Sequence, residues 1–352
     1  MGSRITRLLA GTPDLTLLIA GRDAAAVGLF VEYLLEEGID AVAVPSAGAA
    51  GDVVAAARAT MVIDASGSTT PDHATARACI AAGVPYIDIS DDRQTVLAIR
   101  ALDAQAQAAG VALISGAGVV PCLSMAAVAS LAEKPRDIRA ARIVLRRGNR
   151  EQYGPASIAS LLARAGRPMR WRQGGAECEV YCFQTGAQRE GDRHGNYELL
   201  AYDVPDLDLL LEQWPDLAEA TVWAGIELPF LARGLQILAR WRRARGRAGQ
   251  PGRTGLFETL ARSFAHFGTA RSSLRVRLDA HVGGQDLMLS WTLVAENGAG
   301  AWLHAAPAVA VARQMLHGTL PPGARVARLE LAEIMVELKG YDIQVHKTDI
   351  NR

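Results

Sequence analysis

The 352-residue sequence carries no excess of either charge, few cysteines, and no apolar run of membrane-spanning length. Its 37 basic residues are matched by 37 acidic ones. Zero net charge argues against recruitment to nucleic acid or to a membrane surface by bulk charge, and leaves only local patches for such a role. Lack of an apolar stretch of ~20 residues argues against an integral membrane helix. The first residues lack the charged-then-apolar layout of a secretory leader, so a cytoplasmic location is expected. Four cysteines in a chain this long suit a reducing compartment with free thiols. Apolar side chains, at 50% of residues, are plentiful enough for sizeable cores, and the length predicts two domains.

From residue 15 to about 128 the sequence repeats a strand-then-helix rhythm. Leu15 to Ala20 is a continuous apolar run of strand length, closed by Gly21-Arg22-Asp23. Ala24 to Glu37 then reads as a helix ended by Gly38, and Ala41 to Val44 as a short strand. Gly51 to Ala59 is helical, Thr60 to Asp64 a buried strand, and Pro71 to Ala82 a helix stopped at Gly83. Val84 to Asp88, a helix over Val96 to Ala109, and Val111 to Ile114 continue the series into the loop from Ser115 to Pro121. Such alternation predicts an α/β fold with a doubly wound parallel sheet of Rossmann type. Ligands of these sheets bind beyond the carboxyl ends of the strands, where Arg22, Ser66, Ser90 and the Gly116 to Cys122 loop fall.

One part of that pattern is missing. Ser3 to Ala10 forms a short amphipathic helix before the first apolar run, so Gly2 would be the last glycine of a G-x-G-x-x-G loop. The preceding strand and the loop's first two glycines are then expected upstream of Met1. A central strand left out in this way would strip its neighbours of ladder partners and weaken cofactor binding.

The strings VIDASGSTTPDHATARACIAAGVPYIDISDD (62–92) and ALDAQAQAAGVALISGAGVVPCLSMAAVASLA (101–132) carry a family likeness. They resemble the nucleotide-binding domain of the saccharopine dehydrogenase and reductase family. The likeness continues more weakly through YELLAYDVPDLDLL, WAGIELP and PPGARV. It implies an oxidoreductase using NADP, with NAD the alternative, that transfers hydride at an amine, imine or carbonyl carbon of a small metabolite. In that resemblance Gly2 and Ser3 open the helix facing the pyrophosphate, and Arg22 clamps the adenosine 2′-phosphate, its other reading being a solvated charge after a strand. Asp64, Ala65, Ser66 and Gly67 form a loop passing close to the cofactor, and Ile89 and Ser90 one on the nicotinamide side. Gly116 and Gly118 belong to the fourth loop. Asp88 either orders its loop or makes a plain Asx-turn.

That fourth loop departs from the family. Where saccharopine reductases resemble one another in a glycine, an acidic residue and then Pro-Gly, this chain has Gly118-Val119-Val120-Pro121-Cys122. Losing the acid makes the site more apolar than an amino-dicarboxylate needs, so saccharopine itself is not the expected substrate. A non-catalytic scaffold that keeps the fold without tight cofactor binding is the competing reading.

Residues 129 to 303 have the texture of a mixed α+β domain, with strands at 140–146, 177–183, 274–278 and 287–294 and two helical stretches. Glu296-Asn297-Gly298 adds a hairpin-like signal. Residues 304 to 352, with a helix over Pro307 to His317, are expected to return to the first domain, and the family implies that a homodimer can form through the second. His194, in a polar loop, is a candidate proton donor or acceptor against an ordinary surface histidine. Cys122, near a helix start, is a candidate reactive thiol against a packing residue. His266 is expected half-buried between aromatics, and Cys178 and Cys182 as packed thiols on one strand face, with no metal site. The basic run Arg240 to Arg253 is either a polyanion site or the solvated end of a helix.

Overall fold

A computed structural model describes residues 1–46, 48–67, 73–132, 137–151, 154–184, 188–192, 195–250, 255, 259, 263–318 and 320–351. The chain divides into two compact units and passes between them three times. The first contains Met1–Cys122 and His304–Glu337; the second contains Leu123–Leu303 and Leu338–Arg352. The segment after residue 303 therefore splits, its last fifteen residues joining the second unit.

In the first unit the chain runs α1 (Gly2–Leu9), β1 (Leu17–Ile19), α2 (Ala24–Glu36), β2 (Ala41–Ala43), α3 (Ala50–Ala57), β3 (Val62–Asp64), α4 (Ala74–Ala82) and β4 (Tyr86–Asp88). It continues with α5 (Arg93–Arg100), α6 (Asp103–Ala108) and β5 (Ala112–Ser115). Two helix starts follow side-chain caps: Asp23 Oδ1 accepts from the Ala26 amide at 3.0 Å, and Asp92 Oδ1 from the Thr95 amide at 3.0 Å. Each cap is worth about 1 kcal/mol. The Asp92 cap starts α5 three residues earlier than the apolar periodicity predicts. The expected single helix over 96–109 is two, broken at Ala101-Leu102 without Gly or Pro.

All strand pairs of this unit are parallel, but they form two sheets. β1 pairs only with β2, and β3, β4 and β5 follow in order in a separate four-stranded sheet. Among the described residues no strand pairs with the second edge of β1 or of β3. Beneath the four-stranded sheet, Val54, Cys79, Tyr86, Ile99, Leu102 and Leu113 pack into one core. The strand β4 is buried along its whole length, as expected of a doubly covered parallel strand.

The second unit begins with α7 (Ser124–Leu131) and β6 (Asp137–Arg147), then α8 (Pro155–Arg164), β7 (Pro168–Gln173), β8 (Ala176–Tyr181), β9 (Gln188–Asp192) and β10 (Gly195–Ala201). After α9 (Asp206–Gln213), β11 (Glu219–Ile226) and α10 (Pro229–Ala244), the hairpin β12 (Ser272–Val282) and β13 (Gln285–Ala295) leads to α11 (Gly300–Leu303). The chain then supplies the first unit with α12 (Ala306–Leu316), β14 (Gly323–Val326), parallel to β5, and α13 (Leu331–Glu337). It ends in β15 (Ile343–Asn351), antiparallel to β13. Nine strands join in one mixed sheet ordered β15-β13-β12-β6-β11-β10-β9, with β7 on β11 and β8 on β7.

Two expectations are corrected here. The hairpin turn is not at Asn297-Gly298, which leads into α11, but at Gly283-Gly284, whose φ values of +57° and +87° suit a two-residue type I′ turn. His266 is exposed rather than half-buried, and its carbonyl accepts from Arg150 Nε at 3.2 Å. No described helix is long and apolar enough to cross a membrane.

Candidate functional site

Three of the expected loops cap adjacent strand ends of the four-stranded sheet. Strand β3 ends at Asp64, directly in register with Asp88 at the end of β4. Ala65, Ser66 and Gly67 follow the first, Ile89 and Ser90 the second, and Gly116 to Gly118 follow β5. Asp64 Oδ1 accepts from the Ser66 amide at 2.9 Å, an Asx-turn that folds the loop over the strand end. Gly67 takes a φ of +66°, which a residue without Cβ adopts at no steric cost.

Asp88 does more than close its own turn. Its Oδ1 accepts from Ser90 N at 2.8 Å and from Gly116 N at 3.0 Å, and its carbonyl from Ala117 N at 2.8 Å. Residues 28 apart in sequence are thereby fixed to one side chain. A Cβ on Gly118 would lie 3.2 Å from the Ile89 carbonyl, so the third and fourth loops are in contact as well. One on Gly116 would meet Pro121 Cδ at 2.9 Å. Burial pushes the Asp88 carboxyl above its ordinary value, only partly offset by Ser115 and the two amides, and nearby Asp64 adds to the rise. The Asp88 Oδ2 atom and Ser115 Oγ are both fully buried.

The N-terminus of α1 adjoins this edge, since a Cβ on Gly2 would come 3.9 Å from that of Ala65. Gly2 and Ser3 open the helix with no acidic residue in the first turn. Its first free amides and the positive end of its dipole thus lie beside the loop after β3. Arg22 is exposed after β1, in the two-stranded sheet. The Ser46 hydroxyl, from the segment after β2, donates to the Gly21 carbonyl and ties this second strand end to the stretch bearing Arg22.

The catalytic candidates fare differently. His194 lies outside the described residues. Cys122 is 1% exposed, in a π-helical turn from Val119 to Leu123. Cys182 is buried just beyond β8 and its thiol is pushed up to about 12 by burial, as is that of Cys79, while Cys178 is partly exposed. No disulfide joins the four cysteines, and among the described residues no His, Cys, Asp and Glu cluster could hold a metal. In the basic run, Arg242 is buried and its Nη2 donates to the Arg247 carbonyl at 2.9 Å, so one arginine closes its own turn. Arg245 and Arg247 lie over the Trp241 ring at 5.4 and 5.7 Å.

Sequence spacing locates the loops but not the links between them. The bond from Gly116 to Asp88 joins two strand ends whose adjacency is a property of sheet order, and no local pattern announces it.

Residues 1–114 match the family model described as saccharopine dehydrogenase NADP binding domain. No curated protein sequence matches the chain. Among solved structures, apo saccharopine dehydrogenase (L-Glu forming) from Saccharomyces cerevisiae aligns over 98% of this chain and 97% of its own, with a TM-score of 0.68 at 14% identity. GenD2 from gentamicin A biosynthesis, in complex with NAD, aligns over 100% and 94% with a TM-score of 0.43 at 13% identity. The putative oxidoreductase yvaA from Bacillus subtilis aligns over 95% and 88% with a TM-score of 0.40 at 15% identity. The stretch 1–114 is therefore similar to the saccharopine dehydrogenase NADP binding domain, and over its length the chain has a fold similar to that of saccharopine dehydrogenase.

Proposed function

We propose that the protein is an NADP-dependent oxidoreductase acting on an amine, imine or carbonyl carbon of a small metabolite other than saccharopine. The observation that carries this reading is the gathering of three loops and a helix N-terminus at one end of a parallel sheet. Residues 64–67, 89–90 and 116–118 follow neighbouring strands, and the free amides of Gly2 and Ser3 adjoin Ala65. Such an edge suits a dinucleotide: the helix end favours phosphate, and small residues at Ala65, Gly116 and Gly118 leave room for close approach. When bound, the cofactor supplies the hydride; the chain holds and orients it.

Arg22 supports the preference for NADP. An exposed guanidinium after the strand that ends near the adenosine ribose can fork onto a 2′-phosphate, and it gains nothing from a 2′-hydroxyl. Valines at 119 and 120 stand where an amino-dicarboxylate calls for an acid, which supports a different substrate. Four cysteines without a disulfide suit the cytoplasm.

One observation favours the second reading, a scaffold with weak cofactor binding. The parallel strands form two sheets rather than one, so the edges of β1 and β3 lack ladder partners among the described residues. Fluorescence titration with NADPH and NADH separates the two. Saturable NADPH binding, with Arg22→Ser weakening NADPH by about tenfold, or ~1.4 kcal/mol, and leaving NADH unchanged, is the expected outcome. Equal affinity of the wild-type protein for the two nucleotides would remove the role of Arg22, and no binding of either would favour the scaffold.

A further inference from the structure

We propose that Asp88 is a positioning residue that clamps the loops after β4 and β5 into one platform beneath the nicotinamide half of the cofactor. The proposal rests on the cofactor site argued above. Its basis is a comparison within the molecule. Asp64 and Asp88 end neighbouring strands in direct register, and each makes an Asx-turn with the amide two residues on, at 2.9 and 2.8 Å. Asp64 Oδ2 also accepts from the Tyr86 hydroxyl at 3.5 Å, but Asp88 reaches the amide of another loop, Gly116 N at 3.0 Å. Asp64 is partly exposed, whereas Asp88 is 4% exposed.

The local turn needs an aspartate at either position, but burial and the second bond are particular to Asp88. A buried carboxylate that merely closed a turn would cost more in desolvation than it returned. Joining two loops gives it a further purpose. Its single oxygen fixes Ser90 relative to Gly116, its carbonyl fixes Ala117, and Gly118 then seats against Ile89. Two loops that would each move on their own are reduced to one surface, so less ordering is left to be done when a ligand binds.

Because both amides meet Oδ1, the clamp needs an acceptor at that oxygen and not a charge. Asn keeps that acceptor and Ala does not. In amide hydrogen exchange on the intact protein, Asp88→Ala is expected to speed exchange at Ser90 and Gly116 by about tenfold or more, the loss of ~1.4 kcal/mol of local protection. Asp88→Asn should stay near wild type at both amides, and Asp64→Ala should speed Ser66 and leave Gly116 unchanged. In parallel, NADPH affinity should fall with Asp88→Ala and be restored with Asp88→Asn. Should Asp88→Ala fail to fold, Gly118→Ala opens the same platform from the other side by pressing a methyl on the Ile89 carbonyl, and it should weaken NADPH with little change in melting temperature. Wild-type exchange at Gly116 in Asp88→Ala, or equal damage from Ala and Asn, overturns the clamp. If wild-type protein binds no NADPH, the proposed function falls, and the exchange measurements alone decide the clamp.

Discussion

At the residue scale the first unit concentrates its unusual chemistry in one buried carboxyl. Asp88 is held above its ordinary ionisation range by burial, and the groups facing it are Ser115, the amides of Ser90 and Gly116, and the acidic Asp64; Tyr86, which is also buried, is raised partly by Asp88. A carboxyl whose pKa is raised by folding stabilises the protein most fully below its unfolded value of ~3.9, and that contribution is lost as pH climbs through the folded value. Asp88→Asn has no such titration. The melting temperature of wild type minus that of Asp88→Asn should therefore fall as pH rises above about 4. A difference that stays flat, or that grows with pH, would show that the native carboxyl is not raised. Among the thiols, Cys79, Cys122 and Cys182 are buried and Cys178 is partly exposed, and those at 79 and 182 are held protonated by burial.

Elements of the first unit are legible because each strand is a short apolar run followed by a turn residue and a helix. Helix ends at Gly38, Gly83 and Gly110 all take positive φ, the conformation that glycine reaches without strain. The second unit is less so. Strands β9, β10, β11 and β15 carry no clean alternation, and β14 hides behind Pro321-Pro322, where the sequence announces a loop. The hairpin between β12 and β13 is a case of competing signals. Gly283-Gly284 and Asn297-Gly298 both offer two positive-φ residues, and only the first is flanked by eleven paired positions on each strand. The tight turn sets the register, since φ > 0 is needed at both central residues. Gly283→Asn should be tolerated within about 0.5 kcal/mol, because Asn-Gly is a favoured pair for this turn. Gly284→Val should cost more than about 1 kcal/mol, as a β-branched residue is strained at φ of +87°. Urea denaturation of the two variants measures the contrast; equal losses would mean that the turn type is not what fixes this hairpin.

The whole molecule is tied together by a chain that leaves the second unit at Leu303, completes the first with α12, β14 and α13, and returns at Leu338. The family likeness implies a helix over Pro307 to His317 in this segment, a stretch that begins apolar and then carries Arg313, Gln314 and His317. The return is not visible in the sequence: β15 contains Ile343, Val345, Lys347 and Asp349 in a mixture that fits a tail as well as a strand. Its role follows from position. β13 presents Leu289, Trp291 and Leu293 to the core, all fully buried, and β15 pairs with it over nine residues from Leu287 to Ala295. Without that partner β13 becomes a long apolar edge, the kind of strand that invites pairing with another chain, whereas β15 itself is mostly exposed and carries charge. Deleting residues 339–352 should therefore leave the elements of the first unit intact but lower the melting temperature of the second by several degrees, at roughly 2–4 °C for each kcal/mol lost. Light scattering should report aggregation that rises with protein concentration. Replacing Lys347 and Asp349 with valine in the full-length chain is the complementary change, since it keeps the ladder and removes the charges from the new edge; it should aggregate without a comparable drop in melting temperature. If the truncated protein melts like the full-length one and stays monodisperse, β15 is an appendage and the edge of β13 is protected by other means.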